Sequence, residues 1–262
     1  MVGSAAVGAA RPERTKERAV SVDPLVVLLH GAFAESASWS GVIARLRARG
    51  VDTLALANPL RSVVTDSQYL RDAVGDAGRP LVLVGHSYGG MVITEAAAEG
   101  LGDVVGLVYV AAFAPETGES AADLASRFPG STLGDVLEST SLVDDVDDLW
   151  IRPDAYPAQF AADVPEETAY VGARTQRPIT DLALSQALLA ATPAWRAVPS
   201  WFVFGSDDRN IPVAAHRWMA ERAAARGVDE VEGASHAVAV SEPGRVARTI
   251  LDAVEAVQSR AA

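Results

Sequence analysis

The chain has 262 residues, 49% hydrophobic and 21% charged, enough to bury a single α/β core. Its net charge of −12 argues against a surface that tracks nucleic-acid phosphates, and no apolar run reaches the ~20 residues of a membrane span. With no cysteine, disulfides, thiolate metal sites and a cysteine nucleophile are excluded, and a reducing, cytoplasmic setting is expected.

The first stretch, Met1 to Val22, is small and polar, with charges at Arg11, Glu13, Arg14, Lys16, Glu17 and Arg18. It lacks the apolar core of a secretory signal and reads as a loose leader over 1–22. From Asp23 onward (23–262), short β-type runs alternate with amphipathic helical stretches. Strands are predicted at Leu25–Leu29, Asp52–Ala57, Leu81–Val84, Val104–Val110, Trp201–Phe204 and Asp229–Val231. Trp39, Val42, Ile43 and Leu46 recur at the spacing of a helix packed on a core. A final helix, opening near Ser241-Glu242-Pro243, carries Val246, Ile250, Val254 and Val257 along one face. Strands that are apolar throughout, separated by helices, predict a mostly parallel sheet of about six strands covered on both sides. Catalytic groups on such a sheet gather at the carboxyl ends of its strands.

The alternation lapses between Pro115 and Pro193. No convincing strand occurs there, but helical patches and aromatics do: Phe128, Trp150, Tyr156, Phe160 and Tyr170. The interval is too long for a plain connection, so an inserted helical lid is expected over about 117–192. The acidic cluster Asp144, Asp145, Asp147 and Asp148 within it reads as a solvated loop.

The chemistry centres on Gly85-His86-Ser87-Tyr88-Gly89, set between the apolar run from Leu81 and a helix-forming stretch from Met91 to Glu99. A G-x-S-x-G between strand and helix forces a tight, strained turn, and a Cβ at Gly85 or Gly89 would collide with the crossing chain. The turn presents the Ser87 hydroxyl as a nucleophile. A serine needs a base near neutral pH, and histidine is the natural one.

Of the four histidines, His236 follows the last predicted strand, where a side chain could reach Ser87. His86 points away around the turn and His30 opens the turn after the first strand, so both read as structural. His216 reads as exposed on a helix after Pro212. The base in turn needs a carboxylate, and Asp207 and Asp208 both follow a strand directly. An oxyanion site needs backbone donors: the Tyr88 N–H at a helix N-terminus, and Ala32, or failing that Phe33, after the first strand. Phe33, Phe113 and Trp150 are candidate walls of a substrate pocket.

These blocks, with His30-Gly31-Ala32, Asp208…Ile211-Pro212 and Ser235-His236, resemble the α/β-hydrolases. Within that superfamily they are similar to the branch of plant methyl esterases, hydroxynitrile lyases and bacterial carboxylesterases, from about Pro24 to Val257. The resemblance implies an α/β-hydrolase fold, Asp208 rather than Asp207 as the acid, and Ala32 with Tyr88 as the oxyanion pair. The expected activity is cleavage of a carboxylic ester or lactone, small to medium and apolar, through an acyl-enzyme, by a monomer or homodimer; with no H-E-x-x-H, scattered histidines and no G-x-G-x-x-G, no metal or cofactor is expected. The chain departs from the hydroxynitrile lyases, which carry a lysine after the catalytic histidine and a hydroxyl residue after the first-strand histidine. Ala237 and Gly31 stand there instead. A lyase or C–C bond hydrolase, and a ligand-binding protein with slow turnover, are the rival readings.

Overall fold

The computed structural model describes residues 23–142 and 146–261. The expected leader over 1–22 lies outside the described residues, as do Asp144 and Asp145 of the acidic cluster.

Strand and helix alternate through the first part of the chain: β1 (Leu25–Leu29), α1 (Ser40–Ala48), β2 (Thr53–Leu56), α2 (Val63–Val74), β3 (Leu81–His86), α3 (Gly89–Ala98) and β4 (Val104–Val110). The interval that follows contains α4 (Ala121–Ser126), β5 (Leu137–Ser141), β6 (Asp147–Ile151), α5 (Tyr156–Phe160), α6 (Glu166–Thr175), β7 (Ile179–Thr180) and α7 (Asp181–Ser185). The alternation then resumes with β8 (Ser200–Gly205), α8 (Val213–Arg222), β9 (Gly227–Val231), α9 (Val238–Ser241) and α10 (Pro243–Ala261).

Six strands form one parallel sheet in the order β2-β1-β3-β4-β8-β9. One line of register runs from Leu28 through Val84 and Val108 to Trp201. The continuous apolar run of β3 is fully buried because this strand lies between β1 and β4, with both faces covered by helices. On one side α10 buries Val246, Ile250 and Val254, each worth roughly 1.5–3 kcal/mol once removed from water. Trp39, Val42 and Leu46 are also fully buried, with Ile43 half-buried, as their spacing predicts. No helix among the described residues is long and apolar enough to cross a membrane.

The inserted segment differs from the helical lid expected from sequence. Among its described residues it contains four α-helices, but also a three-stranded antiparallel sheet in the order β5-β6-β7. The physical reason for the discrepancy is local. β5 is Leu-Glu-Ser-Thr-Ser, exposed along nearly its whole length, so it has no buried face to impose an apolar alternation. β6 opens on two aspartates, and β7 is only two residues long. These strands exist through backbone pairing, such as Ser139 with Leu149, and not through a hydrophobic pattern. Within the segment, α4 starts at a capping box in which Ser120 and Asp123 satisfy each other's backbone N–H, worth about 1 kcal/mol.

Candidate active site

Because the sheet is parallel, the turns after β1, β3, β8 and β9 all open at one edge. Ser87 sits directly after β3 with φ +53°, a left-handed conformation that costs a non-glycine residue about 1–3 kcal/mol. The chain tolerates it because the turn is enclosed. A Cβ on Gly85 would lie 2.6 Å from the Gly89 carbonyl oxygen, and one on Gly89 would lie 2.6 Å from that of Leu29. The Ser87 carbonyl accepts from the N–H of Gly90 and of Phe113, which ties the turn to α3 and to the end of β4.

The turn after β1 is pressed against the serine turn. His30 holds it there: its Nδ1–H donates to the Gly31 carbonyl (2.9 Å), and its Nε2 accepts the Asn58 N–H (3.0 Å). Burial pulls the His30 pKa down to about 4, so the ring keeps this tautomer through neutral pH. The Phe33 N–H is already committed to the Arg177 carbonyl at 3.0 Å, whereas those of Ala32 and Tyr88 donate to nothing among the described residues. Of the two alternatives weighed for the β1 turn, only Ala32 therefore has a free donor.

Asp208 is buried after β8, and its neighbour Asp207 is exposed. Nδ1 of His236, a fully buried residue after β9, donates to Asp208 Oδ2 at 2.7 Å. Oδ1 accepts the N–H groups of Asn210 and Ile211 at 2.8 and 2.9 Å. Burial alone would raise the Asp208 carboxyl, but His236 and His216 more than offset it and hold the group well below the usual carboxylate range. His236 Nε2 is buried and unpaired among the described residues.

Helix α5 of the inserted segment clamps the histidine loop. The Phe160 carbonyl accepts from Ala237 N–H (3.0 Å) and Ser235 Oγ (3.1 Å), and the Phe160 ring meets the His236 ring edge-on at 4.9 Å. His86 supports the loop from below, its Nε2–H donating to the His236 carbonyl at 3.1 Å. Burial, and then His236, lower the His86 pKa to about 3.

A cavity of about 480 Å³ opens on Ser87, Ala32 and Tyr88. Phe33 and Phe113 line it as expected, with Ala125, Phe128, Leu133 and Leu184 from the inserted segment. Trp150 does not. It lies half-buried on β6 and outside the cavity lining, because the antiparallel pairing of β6 carries it opposite Glu138. His216 is also corrected: it is fully buried on α8, with Nε2 3.1 Å from Asp208 Oδ2. Neither His216, read as exposed, nor Phe160, read as one of the aromatics of the insertion, is placed at the site by the sequence. His216 did carry a signal, since Met219 and Ala220, three and four residues on, continue a buried helical stripe through it.

A parallel sheet with a strand–serine–helix turn, and a buried aspartate–histidine pair on its last two strand ends, defines an α/β-hydrolase fold. The chain belongs to the alpha/beta hydrolase family, whose model matches residues 26–249. It is 26% identical over 263 aligned residues to the alpha/beta hydrolase nvfD of Aspergillus novofumigatus, covering 90% of this chain and 98% of that protein. It is 27% identical over 242 to the esterase PIR7B of Oryza sativa subsp. japonica, covering 83% and 90% respectively. Among solved structures, polyneuridine aldehyde esterase superposes with a TM-score of 0.75 at 20% identity, over 88% of this chain and 99% of the other.

Proposed function

We propose that this protein is a serine hydrolase that cleaves a carboxylic ester or lactone through an acyl-enzyme. The observation that carries the reading is the buried Asp208–His236 pair, whose Nε2 is left without a partner among the described residues, at the same sheet edge as Ser87 with its φ of +53°. Ser87 Oγ attacks the carbonyl carbon while His236 Nε2 takes its proton. Asp208 fixes the Nδ1–H tautomer and stabilises the imidazolium. The N–H groups of Ala32 and Tyr88 receive the developing oxyanion, each worth about 3 kcal/mol in the transition state. His236 returns the proton to the alkoxide as the C–O bond breaks. Water then attacks the acyl-enzyme by the same route, releasing the acid and restoring Ser87.

The esterase name of the rice relative supports this reading, and the apolar cavity of about 480 Å³ suits a small to medium apolar acyl or alkoxy group. Against a hydroxynitrile lyase stands Gly31, where any side chain would meet backbone and Ser87 at 2.6 Å. The testing experiment is rapid mixing with p-nitrophenyl butyrate. A burst of p-nitrophenol equal to the enzyme concentration, followed by butyrate release, is expected. Turnover without an acyl-enzyme, or no turnover across an ester and lactone panel, would reject the reading.

A further inference from the structure

His216 is a buried histidine that the ester cleavage above does not use. Its ring stacks on Phe204 at 4.8 Å with 12° between planes, so its orientation is fixed. Nε2 lies 3.1 Å from Asp208 Oδ2, the same oxygen that takes the His236 Nδ1–H at 2.7 Å. With the two backbone donors on Oδ1, the carboxylate accepts four hydrogen bonds. That is the full capacity of an ionised carboxyl. A carboxylate can only accept, so this geometry selects the His216 tautomer protonated on Nε2. Nδ1 is buried without a partner among the described residues, so a proton there would have no acceptor.

We propose that His216 is a positioning residue that locks the Asp208 carboxylate toward His236 and moderates its pull on the His236 proton. The proposal rests on Asp208 and His236 acting as the triad acid and base. Two donors share Oδ2, so each draws on the negative charge available to the other. Without the His216 donor, Oδ2 keeps more charge for His236, and the imidazolium becomes easier to form. The carboxylate also loses the contact that holds Oδ2 in line, so proton transfer is worse positioned. Two further titratable groups face this cluster. His86 places its ring 4.8 Å from that of His236, and Glu230, on β9, is paired with Arg217 of α8 at the surface.

The test compares His216→Phe, which keeps the stacking ring and removes the donor, with His216→Gln, which keeps an N–H for Asp208. Two quantities are read: the acid limb of kcat/KM on p-nitrophenyl butyrate, and the titration of His236 by NMR of labelled histidine Cε1. In His216→Phe, kcat should fall about tenfold, and both titrations should move up by roughly half to one pH unit. In His216→Gln both should return close to the parent values. A folded His216→Phe protein with His236 titrating as in the parent, or a glutamine variant as impaired as the phenylalanine one, would overturn the proposal. If His216→Phe does not fold, His216→Asn replaces it, since its shorter amide falls short of Asp208. The NMR readout is independent of turnover. A His236 shift in a protein whose ester turnover survives Ser87→Ala would keep the positioning role and reject the ester-hydrolase mechanism.

Discussion

A Cβ placed on Gly31 would lie 2.6 Å from the Cβ of Ser87 and 2.6 Å from the His86 carbonyl oxygen. The turn after β1 and the turn after β3 are thus in contact at Gly31, as the end of β1 and the β3 turn are at Gly89, neither of which has a side chain. The contact at Gly31 sets the spacing between the Ala32 N–H and the serine. Gly31→Thr should therefore lower kcat/KM by about a hundredfold, because a displacement near 1 Å is enough to misalign the oxyanion donors. Steady-state kinetics check this, with circular dichroism confirming that the variant is folded. Near-normal turnover in Gly31→Thr would show that the two turns can separate without consequence.

Burial separates the two candidate acids. Asp207 is exposed and, among the described residues, its side chain accepts only from Ser206 Oγ, whereas Asp208 is buried on His236. Asp208→Asn should cost about 10⁴ in kcat, as expected when a triad histidine loses its tautomer and counter-charge. Asp207→Asn should stay within about twofold. The reverse pattern would move the acid to Asp207.

The contrast between these two aspartates shows how far the sequence could be read. Four apolar runs, at β1, β3, β4 and β8, announced the sheet, because strands covered on both faces must be apolar throughout, whereas the edge strands β2 and β9 are partly exposed and more polar. Ser87 and His236 stood at strand ends with few competitors. Asp207 and Asp208 could not be separated by residue type, since the difference is one of burial. His216 reads as exposed because a polar residue on a surface helix is usually solvated, and only its three- and four-residue spacing to Met219 and Ala220 hints otherwise. The β5–β6 hairpin left almost no trace, being exposed and held by backbone bonds. Trp150 was drawn into the expected pocket by its aromatic character alone, whereas strand register decides where it sits.

Stability should fall with acid well before the carboxylates titrate. His30 and His86 are lowered by burial from 6.5 to about 4 and about 3. Their folded values lie below the unfolded ones, so the unfolded chain binds more protons in between, and stability drops as pH falls through that window. Each histidine contributes a slope of roughly 1.4 kcal/mol per pH unit. Asp208, lowered in the folded state, adds a further loss below the usual carboxylate range. Urea unfolding at pH 7, 6 and 5 reads this directly, and His86→Gln should flatten the slope. Equal stability at pH 7 and 5 would contradict it.

The small side chains of α4 keep the cavity open beside Ser87, with Ala125 on its wall. Ala125→Phe should reduce turnover of p-nitrophenyl octanoate at least tenfold relative to the acetate, since the added ring fills space that a long chain needs. A uniform change across chain lengths would mean that the substrate does not occupy this cavity.

Covalent acylation of Ser87, with His236 as its base, is the step on which the proposed function stands. The most direct measurement is labelling with a fluorophosphonate, followed by mass mapping of the modified peptide. One adduct per chain, located on Ser87, abolished in Ser87→Ala and slowed at least a hundredfold in His236→Ala, is the expected result. An adduct on another residue, or unchanged labelling rates in His236→Ala, would contradict the account.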